Sequence, residues 1–489
     1  MRFKNGLEMK KSIQQIYPLH QNPSNPYEST NEFKKSIKYY LAVIALGLNL
    51  SAVNSCNIRK YEKENLEFFG VEAVIGASIG LGLSLAALSP LFPKRRNISM
   101  VGILLTTAAV VDLLYPTVSS LLPGVYSVHG QPLWCDGKYF LGKSVGKKGK
   151  CIGELCFTTG MTGYQHTITD PSFAGQIITF TFPHIGNVGI NSKDNEGKKI
   201  FASGVIMREL SSASHPSSYI GINDWLKEND VIGISGVDTR ALTRHLRDHG
   251  SQNGMICPSD NINLDCILQE LSEYISENGV ETTNKVSLSN AFQSNSDAKY
   301  RVAIVDFGVK TSIVLRLIEL DCAIKLIKPT KGFSQEVLGF KPDGIVFSNG
   351  PGDPKEIGKG VTSEIDIILR SRIPVFGICM GHQLLAITLG AKTVKMSSGH
   401  RGSNHPVYEI SSEKVEITSQ NHGFVVDSKS FPSNVNVTHI SLFDGSIEGI
   451  AVKDHPIFSV QYHPEEAPGT HDSHYLFKRF IDNIKLHKA

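Results

Sequence analysis

The 489-residue chain reads as an α/β protein. A C-terminal domain with a parallel sheet and helices on both faces follows a mixed α+β domain and an apolar, helical N-terminal extension. Three observations point there. From Tyr300 onward, strand-length apolar runs alternate with helix-like segments over 301–306, 311–319, 344–348, 373–378 and 381–389, the pattern of strands joined by crossover helices. Between 126 and 280, β-branched and aromatic runs mix with short helical patterns. Ahead of both, three apolar stretches have a different texture.

Residues 1–36 are polar and rich in Asn, Ser, Lys and Pro, the composition of a flexible tail. Tyr39 to Asn57 and Ala73 to Pro93 are uncharged, and a membrane helix needs about 20 apolar residues. Ile98 to Val125 is apolar but interrupted by Asp112, Pro116 and Pro123. Buried helices are the alternative. A cleavable signal is disfavoured, because the first apolar run begins far from Met1. The extension 1–125 is therefore expected to carry membrane helices at 39–57 and 73–93, with 98–125 interfacial or a third span. A translated upstream segment or a fusion would account for the same residues.

Within 126–280, Gln176 to Phe182 (QIITFTF) is a strand by its β-branched and aromatic content. Asp238 caps a helix running to Arg247. Residues 281–299 are polar and read as a linker, and 300–489 form the last domain.

Composition excludes several classes. A net charge of +3 gives no electrostatic case for nucleic acid. The eight cysteines are scattered, without zinc-ribbon or CxxC spacing, and the seventeen histidines show no HExxH pattern. The expectation is a reducing compartment, one reactive thiol and no metal.

That thiol is Cys379. In IPVFGICMGHQLLA (373–386) an apolar strand runs into the cysteine, Gly377 and Gly381 flank it, and a helix follows. This is the form of a nucleophile elbow, with glycines where backbones crowd. The turn sets the sulfur at a helix N-terminus, where the dipole favours negative charge. Taken alone, the stretch also fits a buried structural cysteine. Near the C-terminus, Phe458 to Tyr462 reads as a strand followed by His463, Pro464 and Glu465. Residues two apart in an extended segment point the same way, so His463 and Glu465 can face one pocket. A cysteine, a base and a carboxylate orienting that base is the logic of a nucleophilic triad.

GICMGHQ with YHPEE resembles the class I glutamine amidotransferases. Longer stretches resemble the small, glutamine-hydrolysing chain of carbamoyl-phosphate synthase: GMTGYQHTITDPSFAGQIITFTFPHIGNVG (160–189), GVDTRALTRHLRDHGSQNG (236–254), VDFGVK (305–310), SNGPGDP (348–354), GHRGSNHPV (399–407) and QNHGFVVD (420–427). The resemblance runs from about Leu133 to the end. It implies a ligase-complex subunit in which Cys379, His463 and Glu465 hydrolyse L-glutamine through a thioester. Met380 N–H and the glycine loop would serve the oxyanion. Gly160, Gly350, Gly352, Met380, Gln383, Asn421, Gly423 and Phe424 would contact glutamine. Glu466 departs from the alanine usual after the family's glutamate, and alternation turns it away from the pocket.

No GxxxxGK[ST] loop is present, so no cofactor is expected on this chain. ATP and Mg would belong to a separate large chain making carbamoyl phosphate for arginine and pyrimidine synthesis. The implied partner places the catalytic domains in the cytoplasm. Two spans would then put Lys34, Lys35, Lys38 and Lys94, Arg95, Arg96 on the inner side. The alternatives are an amidotransferase serving another synthase, or a membrane-anchored scaffold that binds glutamine without hydrolysing it.

Overall fold

The computed structural model describes residues 130–136, 138–258, 264–274, 280–288, 297–465 and 467–489. The candidate spans 39–57 and 73–93, with 98–125, lie outside the described residues. Among those described, no helix is long and apolar enough to cross a membrane.

The first domain comprises β1 (Gly130–Cys135), β2 (Lys138–Gly146), β3 (Cys151–Thr158), α1 (Tyr164–Thr169), β4 (Gln176–Phe180), β5 (His184–Ile185), β6 (Gly204–Ile206), β7 (Glu209–Leu210), α2 (Ile222–Glu228), β8 (Ile232–Ser235), α3 (Thr239–His249) and β9 (Asn253–Ile256). Seven strands close a barrel in the order β1-β2-β8-β6-β4-β3-β9, and β5 pairs with β7 apart from it. Strand alternation sorts the core. Ile177 and Ile206 pack with Leu242 and Leu246 of α3, while their neighbours Ile178 and Val205 pack with Trp225 and Leu226 of α2. Asp238 caps α3, accepting from Ala241 N at 3.0 Å, which satisfies one of the first-turn donors.

Two helices, α4 (Leu264–Glu273) and α5 (Val280–Val286), follow. The second falls in the stretch that reads as linker by composition. Thr283, Val286 and Leu288 are buried there, and Leu288 N and Ser287 Oγ both donate to Asp306 Oδ2 at 2.7 Å. The segment is thus tied to the next domain at the buried Asp306, and Leu288 packs in that domain's core.

That domain contains β10 (Tyr300–Val305), α6 (Thr311–Glu319), β11 (Cys322–Ile327), α7 (Phe333–Gly339), β12 (Gly344–Phe347), α8 (Pro354–Arg370), β13 (Val375–Ile378), α9 (Met380–Thr388), β14 (Thr393–Glu409), β15 (Lys414–Val426), β16 (Val435–Ser441), β17 (Ile447–Val452), β18 (Ile457–Val460) and α10 (Tyr475–Lys488). The nine-stranded sheet has the order β11-β10-β12-β13-β18-β17-β16-β14-β15. Its first five strands are parallel, and β12, β13 and β18 are buried throughout, as strands covered on both faces must be. On one face Phe376 stacks on Phe458 at 4.6 Å and packs with Phe477 and Phe480 of α10. On the other, Phe347 packs with Ile357, Val361 and Ile365 of α8 and with Leu384 of α9.

The sheet is parallel only in that half. Strands β17, β16, β14 and β15 continue it antiparallel. The β14–β15 hairpin is long and slips register between Lys395 and His400 and again between Gly402 and His405. Those bulges break the period-two alternation by which a strand is read from sequence.

Candidate functional site

Cys379 sits between β13 and α9 with φ 52° and ψ −101°, a conformation costly for any residue with a Cβ. Crowding explains the glycines beside it. A Cβ on Gly381 would lie 2.1 Å from Phe347 O, and one on Gly377 2.5 Å from Leu385 Cδ1. The cysteine N–H donates to Val460 O at 2.9 Å, tying the turn to the adjacent strand. Met380 opens α9, so its N–H has no acceptor within the helix.

β18 delivers the other groups. Its extension bridges to β15, where His463 N donates to Ser419 O at 2.9 Å. His463 and Glu465 then meet, Nδ1 to Oε1, at 2.7 Å. Nε2 of His463 closes no hydrogen bond. The Cys379 thiol donates to Asn421 O at 3.6 Å, and its nearness strengthens the ring's hold on a proton. Burial opposes a charged imidazole, but Glu465 outweighs that and holds His463 well above its ordinary range. Burial likewise pushes Glu465 up, yet Lys310 and His463 together hold it well below the usual carboxylate range.

Sequence reasoning does not single out Lys310. It lies at the entry to α6, 2 % exposed, with Nζ 2.8 Å from Glu465 Oε1 and 2.6 Å from Ala467 O. Burial favours its neutral form, and Glu465, then Glu196 and Asp170, keep it cationic. One carboxylate oxygen thus serves both Lys310 and His463, and the row Lys310–Glu465–His463 ends at an unbonded Nε2 facing a thiol. Such a row can take a proton from sulfur and return it to a leaving group.

The cavity at Cys379 is lined by Gly350, Gly352, Met380, Gln383, Asn421, Gly423 and Phe424. Gln383 Nε2 donates to Phe424 O at 2.7 Å and to Gln461 Oε1 at 2.9 Å, fixing the elbow helix against the hairpin. Gly352 has φ 99° and Gly350 rides on Phe307 O, which a Cβ would approach to 2.3 Å. Gly160 is the exception among the expected residues. It is absent from the cavity lining and sits in the turn after β3, its N–H 3.4 Å from Thr158 Oγ1. The barrel domain reaches the cavity later, through the turn after α1. There Asp170 Oδ2 accepts from Asn421 Nδ2 at 3.0 Å, and Ser172 Oγ accepts from Asn349 Nδ2 at 2.9 Å. These two buried bonds draw Ser172, not Gly160, into the lining. The available signal is the Asp-Pro-Ser turn in TDPSF, a helix-capping pattern.

His422 also lines the cavity. Its ring faces Phe424 O and Gln420 Oε1, each at 2.9 Å, and burial holds its proton affinity well below the ordinary value. Both neighbours are oxygens, so the neutral ring donates to one of them, and burial together with nearby His400 disfavours a proton on the other nitrogen, which makes it a poor base. Among the described residues, His400, His422 and Glu448 bring ligand atoms within 4.8 Å of one another. Glu448 already accepts from Gln420 Nε2 at 3.0 Å, and His400 is 3.0 Å from Asp444, so the group reads as a hydrogen-bonded support for the hairpin. Glu466 lies outside the described residues.

A strained cysteine elbow on a parallel sheet, with a His–Glu pair at the next strand's end, is the arrangement of a class I glutamine amidotransferase. Residues 303–483 match the family Glutamine amidotransferase class-I, and residues 133–256 match Carbamoyl-phosphate synthase small chain, CPSase domain. The carbamoyl phosphate synthase small chain of Zymomonas mobilis is 44% identical over 366 residues, covering 71% of this chain and 98% of the relative. That of Vibrio parahaemolyticus is 42% identical over 371 residues, 72% of this chain and 97% of the relative. The chain belongs to the carbamoyl-phosphate synthase small chain family.

Proposed function

We propose that the chain hydrolyses L-glutamine and passes the ammonia to a separate large chain, which makes carbamoyl phosphate from it with bicarbonate and ATP. Cys379, its proton passed to His463 Nε2, attacks the side-chain amide carbon as thiolate. Glu465, its charge secured by Lys310, holds the ring through Nδ1 and offsets the imidazolium. The Met380 N–H and the Gly350–Gly352 loop stabilise the tetrahedral oxyanion. His463 returns its proton to the departing ammonia, leaving a thioester. Water activated by the same histidine then releases glutamate. Every residue invoked lies beyond position 309, so the reading does not depend on residues 1–129. Carbamoyl phosphate made this way would feed arginine and pyrimidine synthesis.

The observation that carries this reading is the buried row from Lys310 through Glu465 and His463 to the Cys379 cavity. The test supplies glutamine labelled with nitrogen-15 in its amide to the full chain plus its large chain, in unlabelled ammonium. Label entering carbamoyl phosphate undiluted is expected. Absence of glutamine hydrolysis with and without the large chain would overturn the proposal.

A further inference from the structure

Arg401 is 5 % exposed and lines the Cys379 cavity. Its Nη1 donates to Ser398 O at 2.9 Å, while Nε has no acceptor. Among the described residues no carboxylate forms an ion pair with it. The other charged groups of the cavity are accounted for. Lys395 pairs with Glu154 at 2.8 Å, and the second oxygen of Glu154 accepts from Gln176 Nε2 at 3.1 Å. A buried cation without a counter-ion is strongly unfavourable unless something supplies one.

The guanidinium is held where a ligand can reach it. It spans two glycines: a Cβ on Gly399 would lie 2.5 Å from Nη1, and one on Gly423 3.4 Å from Nη2. Gly399 has φ 67° within the bulge of β14. The barrel domain fixes that bulge from outside. Thr159 N donates to Arg401 O at 3.1 Å, and Ser251 N donates to Ser397 O at 2.9 Å.

We propose that Arg401 receives the α-carboxylate of glutamine and is the residue that confines the site to an α-amino acid amide. This rests on the glutaminase reading above. With the amide at Cys379, the α-carboxylate is the substrate's sole anionic group, and a guanidinium fork matches its two oxygens. It also gives the barrel domain a task in recognition, since its backbone donors hold the strand that carries Arg401.

The test compares L-glutamine with 4-aminobutanamide, the same amide without the α-carboxylate, on the full chain. Arg401→Gln should lower kcat/KM for glutamine on the order of 100-fold, chiefly through KM. For 4-aminobutanamide the loss should stay within about threefold, because no carboxylate contact is there to lose. Arg401→Lys, which keeps the buried charge but not the fork, should give an intermediate ratio. Equal losses on both amides, or an unchanged ratio in both variants, would overturn the assignment of Arg401 alone. Wild-type chain that hydrolyses neither amide would remove the glutaminase reading and this proposal with it.

Discussion

In the parallel half of the C-terminal sheet, the groups that meet at Cys379 come from strand ends and from the turns that leave them. Lys310 follows β10, Gly350 and Gly352 follow β12, Cys379 follows β13, and His463 and Glu465 follow β18. In the antiparallel half, Arg401, Asn421, Gly423 and Phe424 come from a bulged hairpin, braced by a turn of the barrel domain. The first half places reactive atoms through backbone that cannot move without breaking a doubly covered core. The second shapes the cavity wall through contacts between residues far apart in the chain, 251 positions in the case of Asn421 and Asp170. On the proposed reading chemistry and recognition are separable, and substitutions in the two halves should fail differently.

The largest effect belongs to the parallel half. Cys379→Ser should reduce glutamine hydrolysis by about 10³-fold or more, while glutamine binding, read by isothermal titration, stays close to wild type. Residual hydrolysis near the wild-type rate would move the nucleophile elsewhere. Burial holds Cys156 and Cys322 as thiols, each pushed up to about 12, so neither is a ready substitute. His463→Asn should lose comparably, and Glu465→Gln less, because an orienting group is partly replaceable. Loss of hydrolysis on replacing His422 but not His463 would reverse their roles.

Lys310→Met tests how far the charged row is a unit. Removing one partner of a buried ion pair destabilises by about 3–5 kcal/mol. Glu465 is held down to about 2 in the folded protein, against about 4.3 unfolded. Its contribution is therefore present above the unfolded value and lost as pH falls through the folded one. The gap in unfolding free energy between wild type and Lys310→Met should be widest near pH 7 and narrow below pH 4. A gap independent of pH would mean that Lys310 acts by packing alone.

The two halves also differ in how legible they are. Cys379 with its glycines, and His463 with Glu465, are contiguous motifs whose local spacing dictates geometry, so sequence alone places them. Lys310 stands in a strand-to-helix turn like that of Cys379, but its partner Glu465 is distant in the chain, and nothing local announces the pairing. Ser172 and Arg401 are harder still. Each matters because a second domain packs against it, and the bulges that aim Arg401 erase the alternation that would have revealed β14. Gly160 belongs to a stretch whose later residue, Ser172, does the reaching. The barrel's closure likewise depends on the pairing of β1 with β9, a long-range match without a local signature.

Ser172→Ala probes the recognition half. Ser172 Oγ accepts from Asn349 Nδ2, which leaves the hydroxyl hydrogen free to donate into the cavity. The variant should raise KM for glutamine about tenfold, consistent with loss of one hydrogen bond and an unpaired Asn349 donor. Its kcat should hardly change. A fall in kcat with KM unchanged would put Ser172 with the chemistry instead.

The smallest effect is expected at the rim, where the hairpin and the barrel domain meet solvent. Lys395 of β14 and Glu154 of the barrel pair at 2.8 Å, with side chains 56% and 21% exposed. Exposed pairs contribute about 0–1 kcal/mol, because water screens the attraction and two long side chains must be ordered. Glu154 would also keep Gln176 Nε2 as a donor if the lysine were removed. Lys395→Ala should therefore shift stability by less than about 1 kcal/mol and KM for glutamine by less than about threefold. Raising the salt concentration should erase even that difference, since screening already weakens the pair in wild type. A large, salt-independent rise in KM for Lys395→Ala would show that the rim lysine, rather than Arg401, meets the substrate's carboxylate. The division between a screened rim and a buried recognition cation would then fail at its most exposed point.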